Sequence, residues 1–281
     1  MEHREENVIS ADGETLYRCS WVPDGSLRAQ CTLFHGYAEH CHRYEALVQA
    51  LNDAGIAVFS FDQKGHGRSK GRRAYITDFR SLIPDAVTTL RWAAEQAPGV
   101  PRLLFGHSMG GALAALIAID HPDLVDLVGL SAPAVKISED ISPFLQKISG
   151  LVGTLLPLLP AAKIDNALLS RDQDVVDAYL ADPLVYSGGV LARTGHSLLS
   201  TESLVLARGA ELKTPVLFQH GSADGLADPR GSKQMHEQAS SDDKTLKIYD
   251  GLYHEIFNEP EQEQVRADLL SWIDQRLPAR D

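Results

Sequence analysis

The stretch LLFGHSMGGALAALIAID, residues 103–120, constrains the fold of this chain more than any other. An apolar run typical of a buried strand leads into a G-x-S-x-G pentapeptide, and a run of small residues typical of a closely packed helix follows. The pentapeptide alone is a weak signal, but a strand before it and a helix after it form the setting of a nucleophile elbow. We therefore predict a strained turn that presents Ser108 and requires Gly106 and Gly110, because a Cβ at either glycine would collide with the corner. A serine that only caps the following helix is the alternative.

Short apolar runs alternate with helix-length segments along most of the chain. Continuous apolar runs between helices are typical of a mostly parallel sheet with helices on both faces, so we predict an α/β fold. The first two runs are joined only by ADGE and predict an antiparallel hairpin at one edge of the sheet. The later predicted strands are residues 31–35, 56–61, 102–107, 124–130, 214–220 and 244–250.

This alternation stops between Ala132 and about Ser200, where no pair of strand and helix is visible. We therefore predict a core formed by residues 1–133 and 201–281 and an inserted helical cap, or lid, at residues 134–200. The stretch ISPFLQKISGLVGTLLPLLPAAK is too short and too rich in proline to span a membrane. We expect its helix to fold onto the protein and to line an apolar tunnel, and transient contact with a membrane or micelle surface is an alternative. The apolar residues at helical spacing are Ile141, Phe144, Leu145, Ile148, Leu151, Val152 and Leu155.

Candidate partners for Ser108 follow the cap in the order acid, then histidine. The stretch PVLFQHGSADGLAD ends a strand and places Asp224 in the loop beyond it, and the next strand leads to His254. Serine, acid, histidine is the chain order of the catalytic triad in α/β-hydrolases. Asp228 precedes a proline and is better interpreted as the cap of the next helix. We expect the side chain of His107 to point away from the site, because successive side chains of a strand alternate.

The loop HGYAEHCHRY is expected to complete an oxyanion hole. After His35 and Gly36 turn the chain, the backbone N–H of Tyr37 would join that of Met109, which starts the helix after Ser108. One such donor contributes about 2.7–4 kcal/mol of transition-state stabilisation. We interpret His35 as a buried structural imidazole and the turn FDQKGHGRS as support for this loop.

The charge balance and the cysteine count exclude several classes of protein. The 26 basic and 38 acidic residues give a formal charge of −12, which repels the phosphates of nucleic acid, so we expect no nucleic-acid partner. The three cysteines match neither a disulfide framework nor a zinc-site spacing, and no secretory signal is visible at the amino terminus. We expect a cytoplasmic protein that needs no metal and no organic cofactor.

Several stretches together resemble the monoacylglycerol lipase family of serine α/β-hydrolases, which includes lysophospholipase-like esterases. The resemblance covers nearly the whole chain, including the cap. It implies the α/β-hydrolase fold, hydrolysis of monoacylglycerols to fatty acid and glycerol, and a catalytic triad of Ser108, Asp224 and His254. The stretches that carry it are HGYAEHCHRY, FDQKGHGRSKG, GHSMGG, IDNALLSRDQDVVDAYLADPLV, LFQHGSADGLAD and DKTLKIYDGLYHE.

The resemblance also implies a polar, glycerol-facing end of the site. Glu39 and Arg43 match its polar residues, and Tyr179 matches a tyrosine of the cap; a surface ion pair between Glu39 and Arg43 is the alternative. Mammalian members carry a histidine and a cysteine where this chain has Phe257 and Ala227. The glycerol end is therefore expected to be less polar here.

The same triad would also serve a short- or medium-chain carboxylesterase, a thioesterase or a lysophospholipase, which differ only in the shape of the pocket. Dehalogenases and epoxide hydrolases need an aspartate at the position of Ser108 and are excluded. Outside the enzymes, the alternative is a catalytically silent ligand-binding protein with the same fold. The partner that we expect is a small-molecule lipid ester.

Overall fold

Strands and helices follow one another along the chain in the predicted rhythm. The computed structural model describes residues 1–136 and 143–277, without the side chains of residues 143–148. The strands are β1 (Glu2–Ile9), β2 (Thr15–Val22), β3 (Ala29–Phe34), β4 (Ile56–Phe61), β5 (Arg102–His107), β6 (Leu127–Ser131), β7 (Pro160–Ala162), β8 (Val190–Leu191), β9 (Val216–Gly221) and β10 (Lys244–Tyr249).

Within the described residues, the main sheet has eight strands in the order β1-β2-β4-β3-β5-β6-β9-β10. β1 pairs antiparallel with β2, and β2 pairs antiparallel with β4. The other five pairings of this sheet are parallel. The predicted mostly parallel sheet and the antiparallel hairpin at its edge are therefore confirmed.

Helices cover both faces of this sheet. Residues of α2, α3 and α8 belong to one buried apolar cluster, and residues of α1 and α9 belong to another. Neighbouring residues of β3 enter different clusters, Leu33 the second and Phe34 the first, as the alternation of side chains along a strand requires. The helices are α1 (Glu45–Asp53), α2 (Ile83–Gln96), α3 (Met109–Asp120), α4 (Pro143–Leu155), α5 (Gln173–Ala181), α6 (Ala192–Leu199), α7 (Thr201–Leu204), α8 (Pro229–Gln238) and α9 (Gln262–Asp274).

The small residues after Ser108 form α3, which is buried along nearly its whole length. Every residue from Met109 to Ile119 is buried, because α3 packs on the sheet with α2 beside it. A helix that is apolar on all sides needs such surroundings. The apolar sequence of α3 therefore determines that this helix is buried against the sheet, and the buried helix in turn positions the turn at Ser108.

Between β6 and β9 the described chain adds no strand to the main sheet. It forms α4 to α7 and an antiparallel pair of β7 with β8, and we call residues 143–204 the cap segment. Polar contacts hold this segment to several loops of the core. They include Tyr186 N–H to the carbonyl of Ala38 at 2.8 Å, His40 to Asp182 at 2.8 Å, Arg73 to the carbonyl of Leu184 at 2.6 Å and Glu255 N–H to the carbonyl of Leu169 at 2.7 Å.

None of the helices in the described ranges combines the length and the apolar character that crossing a bilayer requires.

Candidate active site

The turn that carries Ser108 is strained as predicted. Ser108 has φ 53° and ψ −117°, which is a conformation that residues other than glycine rarely adopt. A Cβ at Gly106 would lie 2.2 Å from the carbonyl oxygen of Gly110, and one at Gly110 would lie 2.2 Å from that of Phe34. The Ser108 side chain makes no capping hydrogen bond to α3, so the interpretation as a simple helix cap is wrong.

The structure brings Ser108, His254 and Asp224 into one hydrogen-bonded chain. The Ser108 Oγ lies 2.9 Å from His254 Nε2, and His254 Nδ1 lies 2.7 Å from Asp224 Oδ2. A carboxylate can only accept, so Nδ1 carries the proton and Nε2 accepts from the serine hydroxyl. This is the geometry of a nucleophile paired with a base that a carboxylate orients.

The carboxylate of Asp224 is held by four donors. Oδ1 accepts the backbone N–H groups of Leu226 and Ala227 at 2.8 and 3.0 Å, and Oδ2 accepts a second imidazole, His220 Nε2, at 3.0 Å. Burial acts to raise the pKa of Asp224, but the two imidazoles lower it well below its usual range. Asp224 therefore stays ionised in a buried position.

Sequence reasoning gave no role to His220, although it ends a strand four residues before Asp224. Its Nδ1 accepts a hydrogen bond from the Ser232 hydroxyl at 2.7 Å, which leaves the proton on Nε2, the atom that faces Asp224. The spacing of four residues across a turn is the signal that could have found it. Asp228, in contrast, caps α8 by accepting the N–H of Arg230 at 2.9 Å, as predicted.

His254 is poised to accept a proton. Burial acts to lower its pKa, but the negative charge of Asp224 and the hydrogen bond to it raise the pKa, and the charge of Glu255 adds to this effect. The net pKa lies above the ordinary value of histidine. The imidazolium that forms when Ser108 gives up its proton is therefore stabilised.

The prediction for His107 is wrong. Its ring lies against that of His254, with 4.8 Å between the ring centroids, and its Nδ1 pairs with the Ser131 Oγ at 3.0 Å. Side chains alternate along a regular strand, but the strained turn at Ser108 breaks this alternation where β5 ends. Burial lowers the pKa of His107 to about 3, so the ring beside the base is neutral.

The backbone N–H groups of Tyr37 and Met109 donate no hydrogen bond to any part of the described chain. Both residues line the cavity above Ser108. Free N–H donors beside the nucleophile are what an oxyanion hole requires, so the assignment of these two groups to it stays a prediction.

His35 fixes the direction of the Tyr37 N–H. The imidazole Nε2 accepts the backbone N–H of Gln63 at 2.8 Å, so Nδ1 carries the proton and donates it to the carbonyl of Gly36 at 2.7 Å. In a trans peptide the carbonyl and the next N–H point in opposite directions, so the Tyr37 N–H points away from His35. Burial lowers the pKa of His35 to about 4, which keeps this clamp neutral and confirms the prediction of a buried structural imidazole.

Glu39 and Arg43 form a buried network, so the interpretation as a surface ion pair is wrong. Glu39 Oε1 accepts the N–H of Gly36 and the hydroxyl of Tyr44, both at 2.6 Å, and Oε2 accepts Arg43 at 2.6 Å. Arg43 also binds both carboxylate oxygens of Glu255 at 2.6 and 2.8 Å. The network joins the loop of Gly36 to the residue after His254.

Of the three residues matched to the glycerol end, Glu39 and Tyr179 line the cavity, whereas Arg43 is not among the lining residues. Its guanidinium lies 4.6 Å from the centre of the Tyr179 ring and faces two carboxylates. Arg43 therefore contacts Glu39 and Tyr179 without lining the cavity itself. Sequence spacing indicated that these residues come together but not which of them line the cavity.

Glu255 is a further member of the site that sequence reasoning missed. Burial acts to raise its pKa, but Arg43 lowers it to about 2, so its carboxylate is charged next to His254. Its place directly after the candidate base was the signal available in the sequence. An acid next to a histidine is common on protein surfaces, and only the fold reveals that this one is buried.

A cavity of about 590 Å³ lies between Ser108 and the cap segment. This volume is within the range of small-molecule sites. The walls are mostly apolar. The cap segment contributes Val152, Ile164, Leu168, Leu169, Leu198 and Leu199 to them. Ala227, at one of the two positions expected to make the glycerol end less polar, lines the cavity, whereas Phe257 is buried against Phe105 at 5.3 Å between ring centroids.

The helix predicted to line an apolar tunnel, α4, does so only in part. Val152 lines the cavity, but Leu151 and Leu155 are 63% and 68% exposed. Helical spacing places side chains around an axis, yet it does not tell which side meets the core when several sides are apolar. Ile141 lies outside the described residues, as do the side chains of Phe144, Leu145 and Ile148.

Candidate metal ligands in the described ranges occur in two groups that share His42. One group adds Cys19 and Cys41, and the other adds His3 and Glu5. Neither group includes a triad member or a residue that lines the cavity. The chemistry that follows from the site's geometry is therefore that of a serine, a histidine and a carboxylate.

Comparison with known proteins identifies the family of this chain. The family model described as serine aminopeptidase, S33, matches residues 25–261. The monoacylglycerol lipase of Mycolicibacterium smegmatis is 39% identical, with 96% of each chain covered, and the monoglyceride lipase of Homo sapiens is 36% identical, covering 96% of this chain and 90% of the human one. A crystal structure of Paleococcus ferrophilus monoacylglycerol lipase superposes with a TM-score of 0.83 at 32% identity, covering 92% of this chain and 98% of that one. The chain therefore belongs to the serine aminopeptidase S33 family of α/β-hydrolases, among its monoacylglycerol lipases.

Proposed function

We propose that this protein hydrolyses the ester bond of monoacylglycerols and releases a fatty acid and glycerol, with Ser108, His254 and Asp224 as the catalytic residues. The observation that carries the proposal is the hydroxyl of Ser108, hydrogen-bonded to His254 at 2.9 Å and facing an apolar cavity of about 590 Å³. The names of the relatives support the choice of substrate.

The first half of the reaction acylates Ser108. His254 Nε2 takes the hydroxyl proton while Oγ attacks the ester carbonyl, and Asp224 stabilises the imidazolium through Nδ1. The N–H groups of Tyr37 and Met109 hold the oxyanion of the tetrahedral intermediate. His254 then returns the proton to the departing oxygen, and glycerol leaves.

The second half removes the acyl group. Water gives a proton to His254 and attacks the acyl-enzyme, the same two N–H groups hold the second oxyanion, and Ser108 regains its proton as the fatty acid leaves. The acyl chain occupies the apolar part of the cavity, where each buried methylene contributes about 0.8 kcal/mol. Glu39 and Tyr179 are the residues that we assign to the glycerol end, and Arg43 contacts both without lining the cavity.

We further propose that residues 134–200 act as a cap on a core formed by residues 1–133 and 201–281, and that the cap makes transient contact with a lipid surface. Five exposed leucines support this contact, because exposed apolar side chains on one short stretch favour interfaces. Three buried free cysteines support a reducing, cytoplasmic location. The exposed leucines are Leu151, Leu155, Leu156, Leu158 and Leu159.

The test replaces the nucleophile. We expect Ser108→Ala to lower the rate of fatty-acid release from a monoacylglycerol by roughly 10⁶-fold while thermal unfolding stays that of the parent, because only the attacking oxygen is lost. Ser203→Ala, at an exposed serine of α7, is the matched control and should retain full activity. Equal activity of Ser108→Ala and the parent would refute the proposal. A parent that prefers a triacylglycerol or a lysophospholipid over monoacylglycerols would keep the mechanism and overturn the substrate.

A further inference from the structure

The roof of the cavity contains a polar pair that the proposed reaction does not use. Ser149 of α4 and His196 of α6 both line the cavity, and the Ser149 Oγ lies 3.1 Å from His196 Nδ1. Their neighbours along the cavity wall include Val152, Leu198 and Leu199. A hydrogen-bonded pair in such apolar surroundings needs an explanation.

Two glycines of α4 lie against the start of α6, and Gly150 lies against the imidazole of His196. A Cβ at Gly150 would lie 3.2 Å from His196 Cε1, and a Cβ at Gly153 would lie 3.3 Å from His196 Cβ. Glycine in a helix interior costs about 0.5–1 kcal/mol relative to alanine. Helix stability is thus lower at two positions of α4 that contact α6, of which Gly150 leaves room for the imidazole ring.

One nitrogen of this imidazole has no partner within the described part of the chain. His196 Nδ1 pairs with Ser149, whereas no described group hydrogen-bonds Nε2. His196 is partly buried at the cavity wall, so a ligand that displaces water there must pair with Nε2 to avoid a desolvation cost. A plain hydrocarbon chain cannot do so, but an oxygen atom on that chain can.

We propose that Ser149 and His196 form a subsite that hydrogen-bonds an oxygen substituent of the acyl chain, so that hydroxylated acylglycerols are preferred substrates. This inference rests on the proposed function and narrows its substrate class. The subsite belongs to α4 and α6 and not to the polar end of Glu39 and Tyr179, so it contacts the acyl chain and not glycerol. A site built to bind a hydroxyl rejects the analogue that lacks it, because a polar atom of the site, here His196 Nε2, then lacks its partner.

The experiment compares monoacylglycerols of equal chain length that carry a hydroxyl near the carboxyl end, in the middle or near the methyl end of the chain, together with the unsubstituted ester. For the parent protein we expect kcat/KM to be about tenfold higher for one positional isomer than for the unsubstituted ester. A single preferred position is the signature of a fixed hydrogen-bonding group. Equal values for all four esters would overturn the subsite.

Variants then test whether the pair is responsible. His196→Leu should reduce the ratio of the preferred isomer to the unsubstituted ester to about one, and His196→Gln, which keeps a donor and an acceptor, should retain part of it. Leu198→Met changes the same wall without removing a polar group and should retain the full ratio. A ratio that persists in His196→Leu would overturn the proposal, as would a loss that affects all esters alike, which indicates only that the pair joins α4 to α6.

Two further measurements keep the outcome unambiguous. If His196→Leu does not fold, as judged by thermal unfolding, Ser149→Ala supplies the test: a lowered ratio supports the subsite, and an unchanged ratio overturns it. A parent protein that hydrolyses none of the esters refutes the proposed function itself. One that hydrolyses the plain ester without preferring any hydroxylated ester refutes the subsite alone.

Discussion

The surroundings of Ser108 and the cap segment above it differ in how completely their polar side chains are paired and in how exposed their apolar side chains are. Around the serine, polar groups are buried and paired: Asp224 has four donors, and Glu39 has three. In the cap segment, leucines lie in solvent or along the cavity, and His196 has an unpaired nitrogen within the described residues. From this difference we expect the core to hold the reacting groups in place and the cap segment to select the acyl chain.

The largest expected effect contrasts a glycine of the core with one of the cap segment. Gly110→Ala should lower the free energy of unfolding by about 3 kcal/mol or more, because its Cβ would meet the backbone of β3 at 2.2 Å. Gly150→Ala should stay within about 1 kcal/mol of the parent, since a gain in helix propensity offsets a 3.2 Å contact with a side chain. Denaturant unfolding of both variants measures this. Similar losses of unfolding free energy in the two variants would contradict the expectation that the cap segment tolerates an added methyl group where the core does not.

A smaller effect concerns the outer face of α4. The double variant Leu151→Ser, Leu155→Ser should weaken binding to vesicles of zwitterionic lipid by about tenfold, because both side chains are exposed and available to a lipid surface. Ile9→Ser, at an exposed isoleucine of β1 in the core, is the matched control and should bind as the parent does. Co-sedimentation measures the difference. Unchanged binding of the double variant would remove the lipid-contact proposal and leave the hydrolytic proposal intact.

The smallest expected effect is a change in pH dependence. Catalysis needs an unprotonated His254 Nε2, so kcat/KM falls as the pH falls through the pKa of His254. The negative charge of Glu255 raises this pKa, and Glu255→Gln should therefore move the acidic limb of the profile to lower pH.

The matched variant for this pH experiment is Glu202→Gln, at an exposed acid of α7 in the cap segment, and its profile should be that of the parent. A profile of Glu255→Gln that is unmoved, or moved to higher pH, would show that the core network does not act on His254 through charge.

The sequence predicted those parts of the molecule that depend on local geometry. The strained turn at Ser108 follows from its flanking glycines, and the meeting of Asp224 and His254 with the serine follows because parallel strands end at one edge of a sheet. The orientation of His107, the position of Arg43 behind Glu39, and the outward direction of Leu151 were not predictable in this way. They depend on how elements distant in the chain pack against each other, which periodicity does not record. The catalytic roles of the triad and of the Tyr37 and Met109 amides stay predictions until the variants are measured.

The network that joins Glu39, Arg43 and Glu255 has a consequence for the end of the catalytic cycle. Together with Asp224 it sets three carboxylates against one guanidinium beside the reacting serine. The substrate is an uncharged ester, but hydrolysis leaves an ionised fatty acid at the same place. Like charges in a poorly solvated site repel strongly, so we expect the negative charge that favours the imidazolium during the reaction to weaken the binding of the ionised product, and with it product inhibition.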